Sequence, residues 1–266
     1  MRLVSLSLYI EWVELSPVLT LSNTEKTFGA LSAVAPTSFS VDRGSFVSIV
    51  GPSGCGKSTL FNMIAGLESP SGGSIELNGG DISGRTGHVG YMLQKDLLAP
   101  WRTVLGNITM GAHLTRGVTR EDEERGAALA RQYGLGEFLA HYPDALSGGM
   151  RQRVALMRTL MTDHELLLLD EPFGALDAQT RFEMQHWLLD VWQSTERTVL
   201  FVTHDVDEAI FLSDRILVLS ERPGRIVLDL PIDLPRPRRT AMLTDAAFMG
   251  AKREILSLLH HESGEQ

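Results

Sequence analysis

Residues 45–67 read SFVSIVGPSGCGKSTLFNMIAGL, and this stretch restricts the fold more than any other in the chain. A short β-branched run, SFVSIV, enters a glycine-rich loop of the pattern G-x-x-x-x-G-K-S, with Gly51, Gly56, Lys57 and Ser58 at its fixed places. A helical segment follows, with Leu60, Ile64 and Leu67 expected on one face. Strand, loop and helix in that order make a phosphate cradle. The glycines let backbone amides curl around phosphates, Lys57 reaches the β and γ oxygens, and the Ser58 hydroxyl suits Mg²⁺. The loop pattern alone arises by chance in about one chain in a hundred of this length. With strand and helix in place, a mere glycine-rich turn is the weaker reading.

Strands and helices alternate through the rest of the chain, which predicts an α/β fold around a parallel sheet. LLLLD (166–170) and TVLFVT (198–203) are continuous apolar runs, as expected of strands covered on both faces. Between Gln94 and Met161 the pattern turns mostly helical. Thr119 and Asp122 are spaced as a capping box, and the acidic cluster Glu121 to Glu124 falls where a helix dipole favours it.

Composition excludes several classes. A chain of 266 residues, 43% hydrophobic and 21% charged, can bury a sizeable core. The net charge of −9 argues against a protein that lives on a nucleic-acid backbone. Cys55, the single cysteine, removes intrachain disulfides and cysteine-rich metal sites and fits a reducing, cytosolic compartment. No stretch approaches the roughly 18 apolar residues that a membrane span needs. The leading segment MRLVSLSLYIEWVEL carries Glu11 and lacks a small-residue cleavage site, so no signal peptide is expected. Its Val4, Leu6, Leu8, Ile10 and Trp12 alternate as in a strand, either an extra edge strand or an extension upstream of the true start.

Further candidate residues sit at strand ends. Asp170 and Glu171 follow four leucines, so both carboxylates emerge at a carboxyl strand end, where open α/β sheets place their ligands. Asp170 is the candidate to hold Mg²⁺, commonly through water. Glu171 is the candidate to orient an attacking water and accept its proton, because phosphoryl transfer needs positioning more than covalent chemistry. His204 ends another apolar strand, either as a structural cap or beside the same pocket. Gln94, in GYMLQKD, is a weak signal alone. LSGGMRQRV (146–154) places two glycines behind a serine at a helix start, again an arrangement suited to phosphate. One nucleotide would then have two phosphate-binding loops nearly a hundred residues apart.

Taken together, GPSGCGKST, Gln94, LSGGM, LLLLDEP, GALD (174–177) and THD (203–205), in this order, resemble the ATP-binding cassette (ABC) ATPases that drive membrane transport. The resemblance covers about residues 19 to 266. It implies a mostly parallel P-loop NTPase core, an antiparallel β subdomain and an inserted helical subdomain over about 96–160. It also implies a head-to-tail dimer, each ATP lying between one subunit's loop (Gly51, Pro52, Ser53, Gly54, Cys55, Gly56, Lys57, Ser58 and Thr59) and its partner's Ser147, Gly148 and Gly149. By the same resemblance Phe28 stacks on adenine, Gln94 senses the γ-phosphate and contributes to the Mg²⁺ site with Ser58 and Asp170, and Asp177 crosses to the partner. Phe28 equally suits a core position. Met150 departs from the glutamine that many members carry there. Cys55 is either a thiol activated at a helix start or a small space-filler.

LLAPWRTVLGNI (97–108), PFGALDAQTR and LPRPRR narrow the resemblance to importers of nitrate, alkanesulfonate, taurine and related solutes. That implies two membrane permease subunits, an extracytoplasmic solute-binding protein as an indirect partner, and a peripheral position on the cytoplasmic membrane face. Trp101 then lines the groove for a permease helix, or is a core residue. Residues 1–18 form an N-terminal extension, 19–235 the ATPase domain, and 236–266 an extended linker with one amphipathic helix carrying Phe248, Ile255 and Leu259. Two rivals stay open: a DNA-repair or chromosome ATPase, which would insert a long coiled coil between the two loops, and an exporter with a separate membrane partner.

Overall fold

The computed structural model describes residues 17–195 and 197–262. The alternating segment at 4–12, expected as an edge strand or an extension, lies outside them. The chain opens with β1 (Leu19–Phe28), β2 (Leu31–Val41) and β3 (Phe46–Val50), followed by α1 (Lys57–Ile64). Strands β4 (Gly72–Leu77), β5 (Gly80–Asp81) and β6 (Gly90–Met92) lead into α2 (Val104–Ile108), α3 (Met110–Thr115), α4 (Arg120–Gln132) and α5 (Gly148–Leu160). Then come β7 (Leu166–Asp170), α6 (Ala178–Gln193), β8 (Thr198–Val202), α7 (Val206–Leu212), β9 (Arg215–Leu219), β10 (Ile226–Pro231) and α8 (Ala246–Glu262).

Two sheets result. One has the order β2-β1-β4-β5 with antiparallel pairs, and the other the order β10-β9-β3-β8-β7-β6, parallel except at its β10 edge. The apolar runs are central because both of their faces are covered. Leu167 and Leu169 of β7 enter one core, on the side of α5, α6 and α7, while Leu166 and Leu168 enter the other, beneath α1 and the antiparallel sheet. In β8 the pair Val199 and Phe201 and the pair Leu200 and Val202 divide in the same way. A period of two therefore operates inside runs that look uniformly apolar, each side chain contributing about 1.5–3 kcal/mol by its burial.

Local signals set the helix limits. Thr119 accepts from the Asp122 N–H and Asp122 from the Thr119 N–H, which completes the expected capping box of α4. The face expected on α1 stops early. Leu60 and Ile64 are buried, but Leu67 is 55% exposed. Gly66 adopts φ +73°, and the Gly66 and Leu67 N–H groups close back on the Met63 and Asn62 carbonyls, a glycine cap that ends the helix before Leu67. The stretch after Pro237 is likewise less extended than expected, since residues Thr240–Thr244 form a 3₁₀ turn before α8. That helix packs Phe248 and Ile255 into the core, with Leu259 alongside.

The helical region carries an exposed tryptophan. Buried Asn107 on α2 accepts from the Ala99 N–H and donates to the carbonyls of Ala99, Arg102 and Thr103. Four bonds thus fix the turn at 99–103 with Trp101 at its outer edge, 77% exposed, so the core reading of Trp101 is excluded. Among the described residues no helix is long and apolar enough to cross a membrane.

Candidate functional site

The carboxyl ends of four neighbouring parallel strands assemble the site. Asp170, last in β7, pairs in register with Val202 of β8, and the Glu171 N–H donates to the Val202 carbonyl. Ile49 of β3 also registers with Val202, and Met92 of β6 with Leu169. The glycine-rich loop, Gln94, the two carboxylates and His204 therefore leave the sheet at one level. Residues scattered over about 150 positions of sequence are brought together by strand register alone.

They surround a cleft of about 420 Å³. Phe28, Leu31 and Ala33 give it an apolar part, while Lys57, Ser58, Gln94 and Glu171 give it a polar one. Phe28 is 43% exposed with the Lys26 ammonium 4.8 Å from its ring centre, so it is not a core residue. Ser53, Gly54, Gly56 and Thr59 also line the cleft. Gly51, Pro52 and Cys55 do not. The Lys57 ammonium donates to the Gly51 and Pro52 carbonyls at 2.8 Å each, which folds its side chain along the loop. Cys55 is 1% exposed and belongs to the core beneath the loop, as a space-filler.

Glu171 is the focus of the polar part. One carboxylate oxygen accepts from Gln94 Nε2 at 3.2 Å and lies 3.4 Å from His204 Nδ1. His204 is thus beside the pocket rather than a mere strand cap. A carboxylate open to the cleft and flanked by two side chains that fix its orientation suits the positioning and deprotonation of a water. Its neighbour Asp170 is buried, with the Ser58 hydroxyl near enough to favour its charged form. Burial pushes the Asp170 carboxyl up from its ordinary range, the Glu171 charge adds to this, and Ser58 and Lys57 oppose it. A hydroxyl beside a carboxylate is an oxygen-rich fragment fitting Mg²⁺, which takes one or two protein ligands together with substrate phosphates. Among the described residues no group of three or more His, Cys, Asp or Glu could hold a metal unaided.

Ser147, Gly148 and Gly149 do not line this cleft. Ser147 caps α5 by accepting from the Met150 N–H, and both Ser147 and Gly148 are exposed. Asp177 likewise faces outward. It caps α6 through the Thr180 N–H, a bond that holds its carboxyl below the usual range. Within one chain, then, this Ser-Gly-Gly signature loop lies outside the cleft that the phosphate loop lines, and Gly148 instead borders a separate cavity beside Gln94, Asp96 and Arg151.

Two residues escaped the sequence reading. Gln152 on α5 is buried, donates to the Glu171 carbonyl at 3.0 Å and accepts from the Ala175 N–H at 2.9 Å. Arg222, between β9 and β10, lines the cleft and donates from Nε to the Gly54 carbonyl. No local spacing signals either role, because each partner is distant in sequence.

Comparison with known proteins agrees with this geometry. The ABC transporter family profile matches residues 34–174. An uncharacterized ABC transporter ATP-binding protein of Methanocaldococcus jannaschii is 47% identical over 218 residues, 82% of this chain and 80% of that protein. A taurine import ATP-binding protein of Rhizobium johnstonii is 42% identical over 242 residues, 88% of this chain and 90% of that one. A solved dimeric bacterial ABC transporter cassette superposes with a TM-score of 0.73 at 30% identity, covering 82% of this chain and all of the other. The chain belongs to the ABC transporter family and is one of its ATP-binding, ATP-hydrolysing members.

Proposed function

We propose that this chain is the ATPase subunit of an importer for a small organic solute of the sulfonate class, taurine among them, and that it works as a head-to-tail homodimer on permease subunits. One observation carries the dimer: the signature loop, with Ser147 and Gly148 exposed, is a helix start suited to anions yet lies outside the cleft that its own chain's phosphate loop lines. A second copy supplies the nucleotide such a loop needs. The dimeric cassette with the same fold and the import relatives support this assembly.

In this reading the loop from Gly51 to Thr59 wraps the ATP phosphates, Phe28 faces the adenine, and Gln94 lies at the γ-phosphate. Ser58, Gln94 and Asp170 would hold Mg²⁺, which would supply positive charge to offset that of the phosphates during transfer. Glu171 orients the attacking water and takes its proton, while His204 approaches the same carboxylate oxygen as Gln94. Asp177 crosses to the partner. Residues 19–235 form the ATPase domain, with the helical part at about 96–160 as the permease contact, and 236–266 a C-terminal appendage.

Closure reaches the helical part through short links. Arg151 of α5 pairs with Asp96, and Arg158 donates to the carbonyls of Asp96 and Leu97, two and three residues beyond Gln94. A movement of Gln94 on the γ-phosphate is thereby delivered to α5 and to the turn that bears Trp101. The subunit sits peripherally on the cytoplasmic membrane face, with the solute-binding protein contacting only the permease. Affinity purification from native membranes tests the assembly. Co-purification of an integral permease and a binding protein that takes up taurine or an alkanesulfonate is the expected result, and recovery of DNA-processing partners would overturn it.

A further inference from the structure

The hairpin turn between β9 and β10 is pinned to the phosphate loop's surroundings more firmly than a surface connection requires. The Gly224 N–H donates to the Ala33 carbonyl at 3.2 Å, and the Gly224 carbonyl accepts from the Ala35 N–H at 3.0 Å. A β-carbon on Gly224 would stand 2.1 Å from the Cys55 carbonyl oxygen, so only glycine lets the two backbones approach. Ser220 closes the turn by pairing with the Arg225 carbonyl through its N–H and accepting the Arg225 N–H on its hydroxyl. The backbone is thus fixed on both sides of Arg222. The arginine itself is exposed and leans on the middle of the loop. Its Nε donates to the Gly54 carbonyl at 3.1 Å, and a terminal guanidinium nitrogen lies 3.1 Å from where a side chain on Gly54 would begin.

We propose that Arg222 is a further nucleotide-binding residue, which holds Gly54 through Nε and presents its terminal N–H groups to the phosphates common to ATP and ADP. The inference rests on the nucleotide assignment of the cleft and deepens it. Of the side chains lining the cleft, Lys57 and Arg222 are the cations, against the single carboxylate of Glu171. Lys57 is a point charge already directed at loop carbonyls, whereas a guanidinium anchored by one nitrogen keeps a planar edge for two phosphate oxygens. Arg222 touches the loop at Gly54, while the water-positioning group Glu171 is held by Gln94 and His204. A contact on the loop side strengthens binding before and after hydrolysis alike, so its loss raises KM and spares kcat.

The test uses the full chain with Arg222→Ala and Arg222→Lys, titrated with ATP, ADP and adenosine by calorimetry. Nucleotide-free melting temperatures accompany each titration. Arg222→Ala is expected to weaken ATP and ADP by the same factor, about tenfold or more, the size of a charge-assisted hydrogen bond. Adenosine binding stays unchanged, Arg222→Lys recovers only part of the loss, and kcat at saturating ATP remains near wild type. Unchanged ATP and ADP affinities in a folded variant overturn the proposal, as does an equal loss for adenosine, which would mark a purely structural role. Failure of the wild-type chain itself to bind ATP would instead overturn the nucleotide reading of the cleft.

Discussion

Gln152 Nε2 lies 3.0 Å from the carbonyl oxygen of Glu171, although the two residues belong to different elements. Glu171 occupies the left-handed region at φ +48°, which costs a residue with a β-carbon roughly 1–2 kcal/mol. Gln152 spans the turn that contains it, from the Glu171 carbonyl to the Ala175 N–H. The helix that begins with the signature loop therefore holds the backbone of the candidate catalytic carboxylate in an unfavourable conformation. Strain of this kind persists where the surroundings over-determine it.

Gln152→Leu should accordingly destabilise the protein by about 1–3 kcal/mol, because the Ala175 N–H and the Glu171 carbonyl lose a shared partner. It should also lower kcat more than it raises KM. Chemical denaturation combined with steady-state ATPase assays would measure both, and wild-type values for both would show that α5 does not hold this turn.

Glu171→Gln keeps the shape of the side chain and its approach to Gln94 and His204 but removes the proton acceptor. ATP hydrolysis should fall by about a hundredfold or more while ATP binding persists, since general-base removal typically costs 10²–10⁴. Turnover at the wild-type rate would take Glu171 out of the mechanism.

Lys57→Ala has the opposite signature. It deletes a charge from the phosphate cradle and should weaken ATP binding itself, by about tenfold or more. An unchanged dissociation constant in an equilibrium titration would count against the role assigned to Lys57.

Stability should also depend on the buried carboxyl of Glu208 on α7. Burial raises Glu208 above its ordinary value, with Thr203 and Gln185 opposing through hydrogen bonds, and Asp205 and Arg181 are the charges that face it. Between the unfolded and the folded pKa the native state binds the proton and the unfolded chain does not. Stability from this group is therefore complete below the unfolded pKa of about 4.5 and is lost as pH rises through the folded value. Glu208→Gln should flatten that decline and raise the unfolding midpoint at neutral pH. An undiminished pH slope in the variant would assign the dependence to other groups.

These residues also show what the sequence discloses. The strands at 166–170 and 198–202 were readable because burial on both faces writes a continuous apolar run, and the loop at 51–59 because its chemistry is local. Asp170, Glu171 and His204 were readable as strand-end residues and Gln94 only through the family resemblance, although their meeting depends on register between strands. Leu67 misled because α1 ends at Ile64, closed off by the Gly66 cap, a choice that periodicity does not record. Gln152 and Arg222 were silent for a different reason: their partners lie 19 and 168 residues away, and no pattern along the chain reports a long-range hydrogen bond.

The shared site is the centre of the account, and a mixture of two damaged chains tests it most directly. One chain carries Lys57→Ala, and the other Ser147→Arg, which blocks the signature loop. Either homodimer then has two damaged sites. In the mixed dimer one site collects both lesions, and the other joins an intact phosphate loop to an intact signature. ATP-dependent association, followed by light scattering, should be absent from each variant alone and should reappear on mixing. If heterodimers form, as crosslinking would show, yet association is not restored, each signature serves its own chain's nucleotide and the account is wrong.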